Sequence, residues 1–69
     1  MAAIGIFVNG ELREVERETN LKRLLDCLGL PERRVAIELN GQVVGRSDWP
    51  QIKVNAGDKI EVVHFVGGG

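Results

Sequence analysis

Thr19-Asn20-Leu21-Lys22-Arg23-Leu24-Leu25-Asp26-Cys27-Leu28-Gly29-Leu30-Pro31 decides how the rest of the chain must fold. Leu21, Leu24, Leu25 and Leu28 recur at i, i+3, i+4 and i+7, the spacing that gathers apolar side chains on one face of an α-helix. Thr19 offers a hydroxyl to cap the start, and Gly29 suits the left-handed residue that ends a helix. Pro31 cannot extend the helical ladder and biases Leu30 toward an extended backbone. A lone amphipathic helix must bury its leucines against another layer, and the segments on either side of it read as strands.

Upstream, Ile4, Ile6 and Val8 alternate with Gly5, Phe7 and Asn9, which predicts a half-buried strand with Phe7 on the face away from the isoleucines. Asn9 and Gly10 both tolerate positive φ and suit a type I′ turn into a second strand from Glu11 to Arg17. That strand is charged and weakly alternating, as expected of an edge. Downstream, a loop over Glu32 and Arg33 leads to Val35, Ile37 and Leu39 in alternation. A second Asn-Gly pair, Asn40-Gly41, then turns the chain into a brief strand at Gln42 to Val44. Gly45 to Pro50 reads as an irregular connection holding Trp49, followed by a short strand near Ile52 and Lys53 and a turn at Ala56-Gly57-Asp58. The last strand, Lys59 to Val66, sets Ile60, Val62 and His64 on one face and Glu61, Val63 and Phe65 on the other.

The expected fold class is α+β: a roll in which one helix packs on one face of a mixed sheet, with the first and last strands paired at its centre. Residues 1–66 form the body, and Gly67, Gly68 and Gly69 form a free, flexible tail.

Composition narrows the function. A chain of 69 residues with 43% hydrophobic and 28% charged residues and a net charge of -1 reads as one soluble globular domain. A chain this short buries only roughly 60% of its extended surface, which leaves little room for a closed catalytic pocket and favours a carrier or binding module. Nine basic residues are scattered among ten acidic ones, so no cluster can neutralise a run of phosphates and nucleic-acid binding is not expected. No apolar run approaches the ~20 residues of a membrane span, and no secretory signal is expected. A single cysteine, Cys27, closes no internal disulfide, which points to a reducing, cytoplasmic setting.

Side-chain chemistry is sparse. There is no CxxC, HExxH, P-loop or GxGxxG pattern, and a lone histidine makes no metal site. Ser47, Asp48 and His64 read as turn and strand residues rather than a triad, with His64 packed inward. Cys27 reads as a partly buried flank of the leucine stripe. No catalytic residue, metal or bound cofactor is expected.

The improbable feature is Gly67-Gly68-Gly69, because three successive terminal glycines arise by chance in roughly 3 chains per 10,000 at average usage. Without Cβ atoms such a stretch can thread a channel that any side chain would block. At neutral pH the α-carboxylate of Gly69 is an anion able to attack the α-phosphate of ATP held by a partner. The acyl-adenylate so formed is open to a sulfur nucleophile, which leaves a thiocarboxylate or thioester. Phe7, Val63 and Phe65, outward on two neighbouring strands, are the expected partner-binding patch.

The leucine helix, the segment Asn40 to Trp49 with Arg46 three residues before Trp49, the Gly57-Asp58 turn, and the hydrophobic strand running into the glycines together resemble the ThiS family of sulfur carriers. The resemblance spans essentially the whole chain. One departure is Gly45, where the family often has proline before the arginine. The resemblance implies a ubiquitin-like β-grasp fold and a carrier in thiamine (thiazole) biosynthesis rather than an enzyme. It implies that an adenylating, ThiF-like enzyme activates Gly69 with ATP, that a cysteine desulfurase or other donor provides sulfur, and that a ThiG-like thiazole synthase accepts it. Carriers for molybdopterin, tRNA thiolation or cysteine synthesis share such an end, as do ubiquitin-like protein modifiers, and a plain interaction domain is a further reading.

Overall fold

The computed structural model describes residues 2–65. Val66, Gly67, Gly68 and Gly69 lie outside the described residues, and with them the expected tail.

The chain runs β1 (Ala3–Val8), β2 (Glu11–Glu16), α1 (Leu21–Leu28), a 3-10 turn (Glu32–Arg34), β3 (Val35–Leu39), β4 (Gln42–Val44), a 3-10 helix (Arg46–Gln51) and β5 (Lys59–His64). The sheet order is β2-β1-β5-β3-β4, with β1 and β5 parallel and the other pairs antiparallel. The expected mixed sheet with the first and last strands at its centre is thus the one observed.

Both Asn-Gly pairs form the hairpin turns their sequence predicts, with φ of 50° and 83° at Asn9 and Gly10 and of 51° and 88° at Asn40 and Gly41. Positive φ at both central residues gives the turn a twist that matches the strands it joins. The stripe Leu21, Leu24 and Leu25 is fully buried against Ile6, Val8, Val35, Ile37, Ile60 and Val62, and Leu28 packs at its margin. Gly29 closes the helix at φ 71°, its N–H bonding back to Asp26.

Several expectations change. The helix cap is Asn20, not Thr19: the Asn20 Oδ1 accepts from the Arg23 N–H at 2.8 Å. Thr19 sits one residue too early and its hydroxyl donates instead to the Glu16 carbonyl at 2.6 Å. The strand expected near Ile52 and Lys53 is a single bridge, Lys53 to Asn20. That segment bonds to the lead-in of the helix, through Val54 N–H to the Thr19 carbonyl and Leu21 N–H to the Ile52 carbonyl, and the pairing stops where the helix begins. β2 ends at Glu16, short of Arg17, and β5 at His64, with Phe65 outside the strand and the expected end at Val66 outside the described residues. The connections at Glu32–Arg34 and Arg46–Gln51 are helical turns rather than irregular loop. Among the described residues no helix is long and apolar enough to cross a membrane.

Candidate functional site

β5 is the element on which the site is built, because it is central in the sheet and leads to the glycines. Its two backbone neighbours hold it unequally. β3 pairs with it over five positions, from Leu39–Ile60 to Val35–His64, whereas β1 pairs only at Phe7–Lys59 and Val8–Ile60. Side chains extend both ladders. The Asn9 Oδ1 accepts from the Val62 N–H at 2.8 Å while its Nδ2 donates to the Val62 carbonyl at 3.3 Å. At the other turn the Asn40 Oδ1 accepts from the Lys59 N–H at 2.9 Å and its Nδ2 donates to Asp58 at 3.1 Å. The residues chosen for positive φ therefore also brace the strand, a role no turn rule announces.

Past His64 the Phe65 N–H donates to the Arg34 carbonyl at 2.7 Å, so the last described residue is still tied to the start of β3. Arg33 and Arg34 belong to the 3-10 turn Glu32–Arg34, and the Arg46 Nη2 donates to the Arg33 carbonyl at 3.2 Å. Arg46 in turn lies over the Trp49 ring, 5.7 Å from its centroid. In a 3-10 helix side chains at i and i+3 eclipse, which is why the sequence spacing of Arg46 and Trp49 becomes a stacked pair. Trp49 is a buried plug, and its Nε1 donates to the Val44 carbonyl at 3.1 Å.

Phe7, Val63 and Phe65 all point away from the helix and are 39%, 47% and 54% exposed. They do not lie side by side. Phe7 stands opposite Lys59 on β5 and opposite Leu12 on β2, while Val63 is four residues further along β5, roughly 13 Å at strand rise. Register puts Val63 beside Ala36 and Phe65 beyond it, with the facing carboxylate residues Glu38 and Glu61 between the two apolar groups. The outward face thus carries an apolar pair at one end (Phe7 and Leu12), acidic residues in the middle, and a second apolar group next to the glycines.

Two other expected placements change. Cys27 is exposed rather than partly buried, because the leucines occupy the whole of the covered helix face. His64, though on the inward register, is exposed at the end of β5 where that face is no longer covered. Ser47 and Asp48 are exposed on the 3-10 helix. Among the described residues no group of three or more His, Cys, Asp or Glu side chains is placed to hold a metal ion. A shallow depression is lined by Ala2, Ile4, Arg17, Glu18 and Lys53 among others, at the start of β1. Since β1 and β5 run parallel, that is the end of the sheet away from Phe65.

A family model described as the ThiS family matches residues 6–69. The sulfur carrier protein ThiS of Bacillus subtilis is 32% identical over 63 residues, covering 90% of this chain and 96% of that protein. The crystal structure of the thiamine biosynthesis protein ThiS from Geobacter metallireducens superposes with a TM-score of 0.83 at 33% identity, covering 96% of this chain and 100% of that one. A thiazole synthase of Paramagnetospirillum magneticum is 42% identical over 64 residues, which are 93% of this chain and 20% of that protein. The chain spans about a fifth of the length of the thiazole synthases it matches. The ubiquitin-like β-grasp roll implied by the sequence is the fold shared with the Geobacter metallireducens structure.

Proposed function

The chain belongs to the ThiS family, and on that premise we propose that it is a sulfur carrier of thiamine biosynthesis whose sulfur is carried on the carboxylate of Gly69. The observation that supports this most is the position of β5: a central strand, tied through Phe65 to the Arg34 carbonyl, hands the chain to Gly67-Gly68-Gly69 two residues later. A rigid body followed by residues without Cβ atoms suits an end that must enter another protein's active site.

The chemistry is supplied by the partners. The Gly69 carboxylate oxygen attacks the α-phosphorus of ATP on an adenylating enzyme, pyrophosphate leaves, and an acyl-adenylate remains. The terminal sulfur of a persulfide, charged by a cysteine desulfurase, attacks the carbonyl carbon and AMP leaves. A thiol then reduces the resulting acyl disulfide: its sulfur takes the donor sulfur into a new disulfide, and the thiocarboxylate is released. Thiazole synthase is the proposed acceptor. The support is two proteins named thiazole synthase, in each of which a segment of about one fifth of the length is similar to this chain. The exposed Phe7, Val63 and Phe65 face is the proposed docking surface, and the cytoplasm the proposed setting.

Mass spectrometry of the intact chain after incubation with the adenylating enzyme, ATP and a persulfide donor tests this reading. Replacement of one oxygen by sulfur, located to Gly69 by fragmentation, is the expected result. An unchanged mass overturns it, and isopeptide adducts on other proteins would assign the chain to the modifiers.

A further inference from the structure

Arg46 and Trp49 are the residues of the family-like segment that the carrier chemistry leaves without a task. A continuous set of contacts runs from them to the strand end. Trp49 is fixed in the core and by its bond to the Val44 carbonyl, Arg46 lies over its ring, and the Arg46 guanidinium holds the Arg33 carbonyl. The next carbonyl along, that of Arg34, receives the Phe65 N–H. We infer that Arg46 is a positioning residue: it clamps the Glu32–Arg34 turn to the core so that the Arg34 carbonyl holds Phe65, the last described residue before the sequence runs on to the glycines.

The turn needs such a clamp. It is three residues long, it has no side-chain cap, and its own internal bond, Arg34 N–H to the Pro31 carbonyl, is long at 3.3 Å. A single 3-10 turn is weak by itself, because several dihedrals are fixed for one poor hydrogen bond. The Arg46 guanidinium adds a bond from outside the turn, to the Arg33 carbonyl, and its charge strengthens that bond. Phe65 in turn lies one residue beyond the end of β5, and β1 is already unpaired at that height, so the Arg34 carbonyl is the backbone partner that keeps the strand end in the sheet. Arginine suits the position because its planar group can stack on the indole and donate at its edge in one conformation, which lysine cannot do.

The inference rests on the carrier reading for its consequence but not for its first test, amide hydrogen exchange in the 69-residue chain. In Arg46→Ala the Phe65 amide should exchange roughly tenfold faster while the Ile37 and Val62 amides keep their protection, as expected when one charge-assisted bond is lost from a local opening unit. Arg46→Lys, which keeps a donor but not the stack, should recover only part of that protection. In loading by the adenylating enzyme, Arg46→Ala should lower kcat with KM little changed, because docking is intact and delivery of the end is not. Unchanged exchange at Phe65 overturns the inference. So does a change in KM alone, which would make Arg46 a docking contact. Absence of loading in the unmodified chain would instead count against the carrier function and leave the exchange result standing.

Discussion

Asn9 and Val62 exchange two hydrogen bonds, the Val62 N–H donating to the Asn9 Oδ1 at 2.8 Å and the Asn9 Nδ2 donating to the Val62 carbonyl at 3.3 Å. The amide side chain thereby imitates a further residue of β1, whose own pairing with β5 stops at Val8. Asn9→Ala should destabilise the domain by about 3 kcal/mol, from two part-buried bonds and from alanine's poorer tolerance of the left-handed backbone that asparagine adopts here. Asn9→Gly removes the same bonds without the backbone cost and should be milder by about 1 kcal/mol. Urea denaturation of the two variants checks both values; equal stability to the unmodified chain would mean that the side chain braces nothing.

Trp49 is buried in the core where the 3-10 helix Arg46–Gln51 packs against α1. Truncation to alanine leaves a cavity costing about 3–5 kcal/mol, against a total of about 5–15 kcal/mol for a small domain, so Trp49→Ala should be largely unfolded or close to it at 37 °C. Trp49→Phe keeps most of the packing but loses the Nε1 bond to the Val44 carbonyl, for a loss of about 0.5–1.5 kcal/mol. Circular dichroism against temperature distinguishes the three states.

Cys27 is exposed on the helix, so it should react completely with a disulfide reagent in the absence of denaturant. Cys27→Ser should alter stability by no more than about 0.5 kcal/mol and leave sulfur loading unchanged. Slow or partial labelling would show that the thiol is covered.

The outward aromatic next to the glycines gives a docking test. Phe65→Asp keeps the backbone bond to Arg34 and alters a side chain that is 54% exposed, so the thermal midpoint should move little. Binding to the adenylating enzyme, measured by calorimetry, should weaken by at least roughly tenfold, as for loss of a buried aromatic anchor. Undiminished binding would remove this residue from the docking surface.

Much of this architecture is legible in the residues, because it follows from local chemistry. The leucine spacing fixes which helix face is buried, the two Asn-Gly pairs fix both hairpins, and alternation in β1, β3 and β5 fixes which side chains point outward. What local pattern leaves open is decided by distant partners. Thr19 and Asn20 can each cap a helix, and the choice falls to Asn20 because the Glu16 carbonyl takes the Thr19 hydroxyl. Ile52 and Lys53 look like a strand but find only the two residues before the helix to pair with. The separation of Phe7 from Val63 depends on the parallel register of β1 and β5, which alternation within one strand does not specify. The stacking of Arg46 on Trp49 becomes readable only once their segment is known to be a 3-10 helix.

The central claim is that the last glycine's carboxylate is the reactive group. It is tested most directly by comparing thiazole formation with the unmodified chain, with Gly69 deleted, and with a leucine appended after Gly69, all supplied with the adenylating enzyme, the persulfide donor and thiazole synthase. Both altered chains should fold normally and deliver no sulfur. Delivery at the unmodified rate by either one would contradict the account.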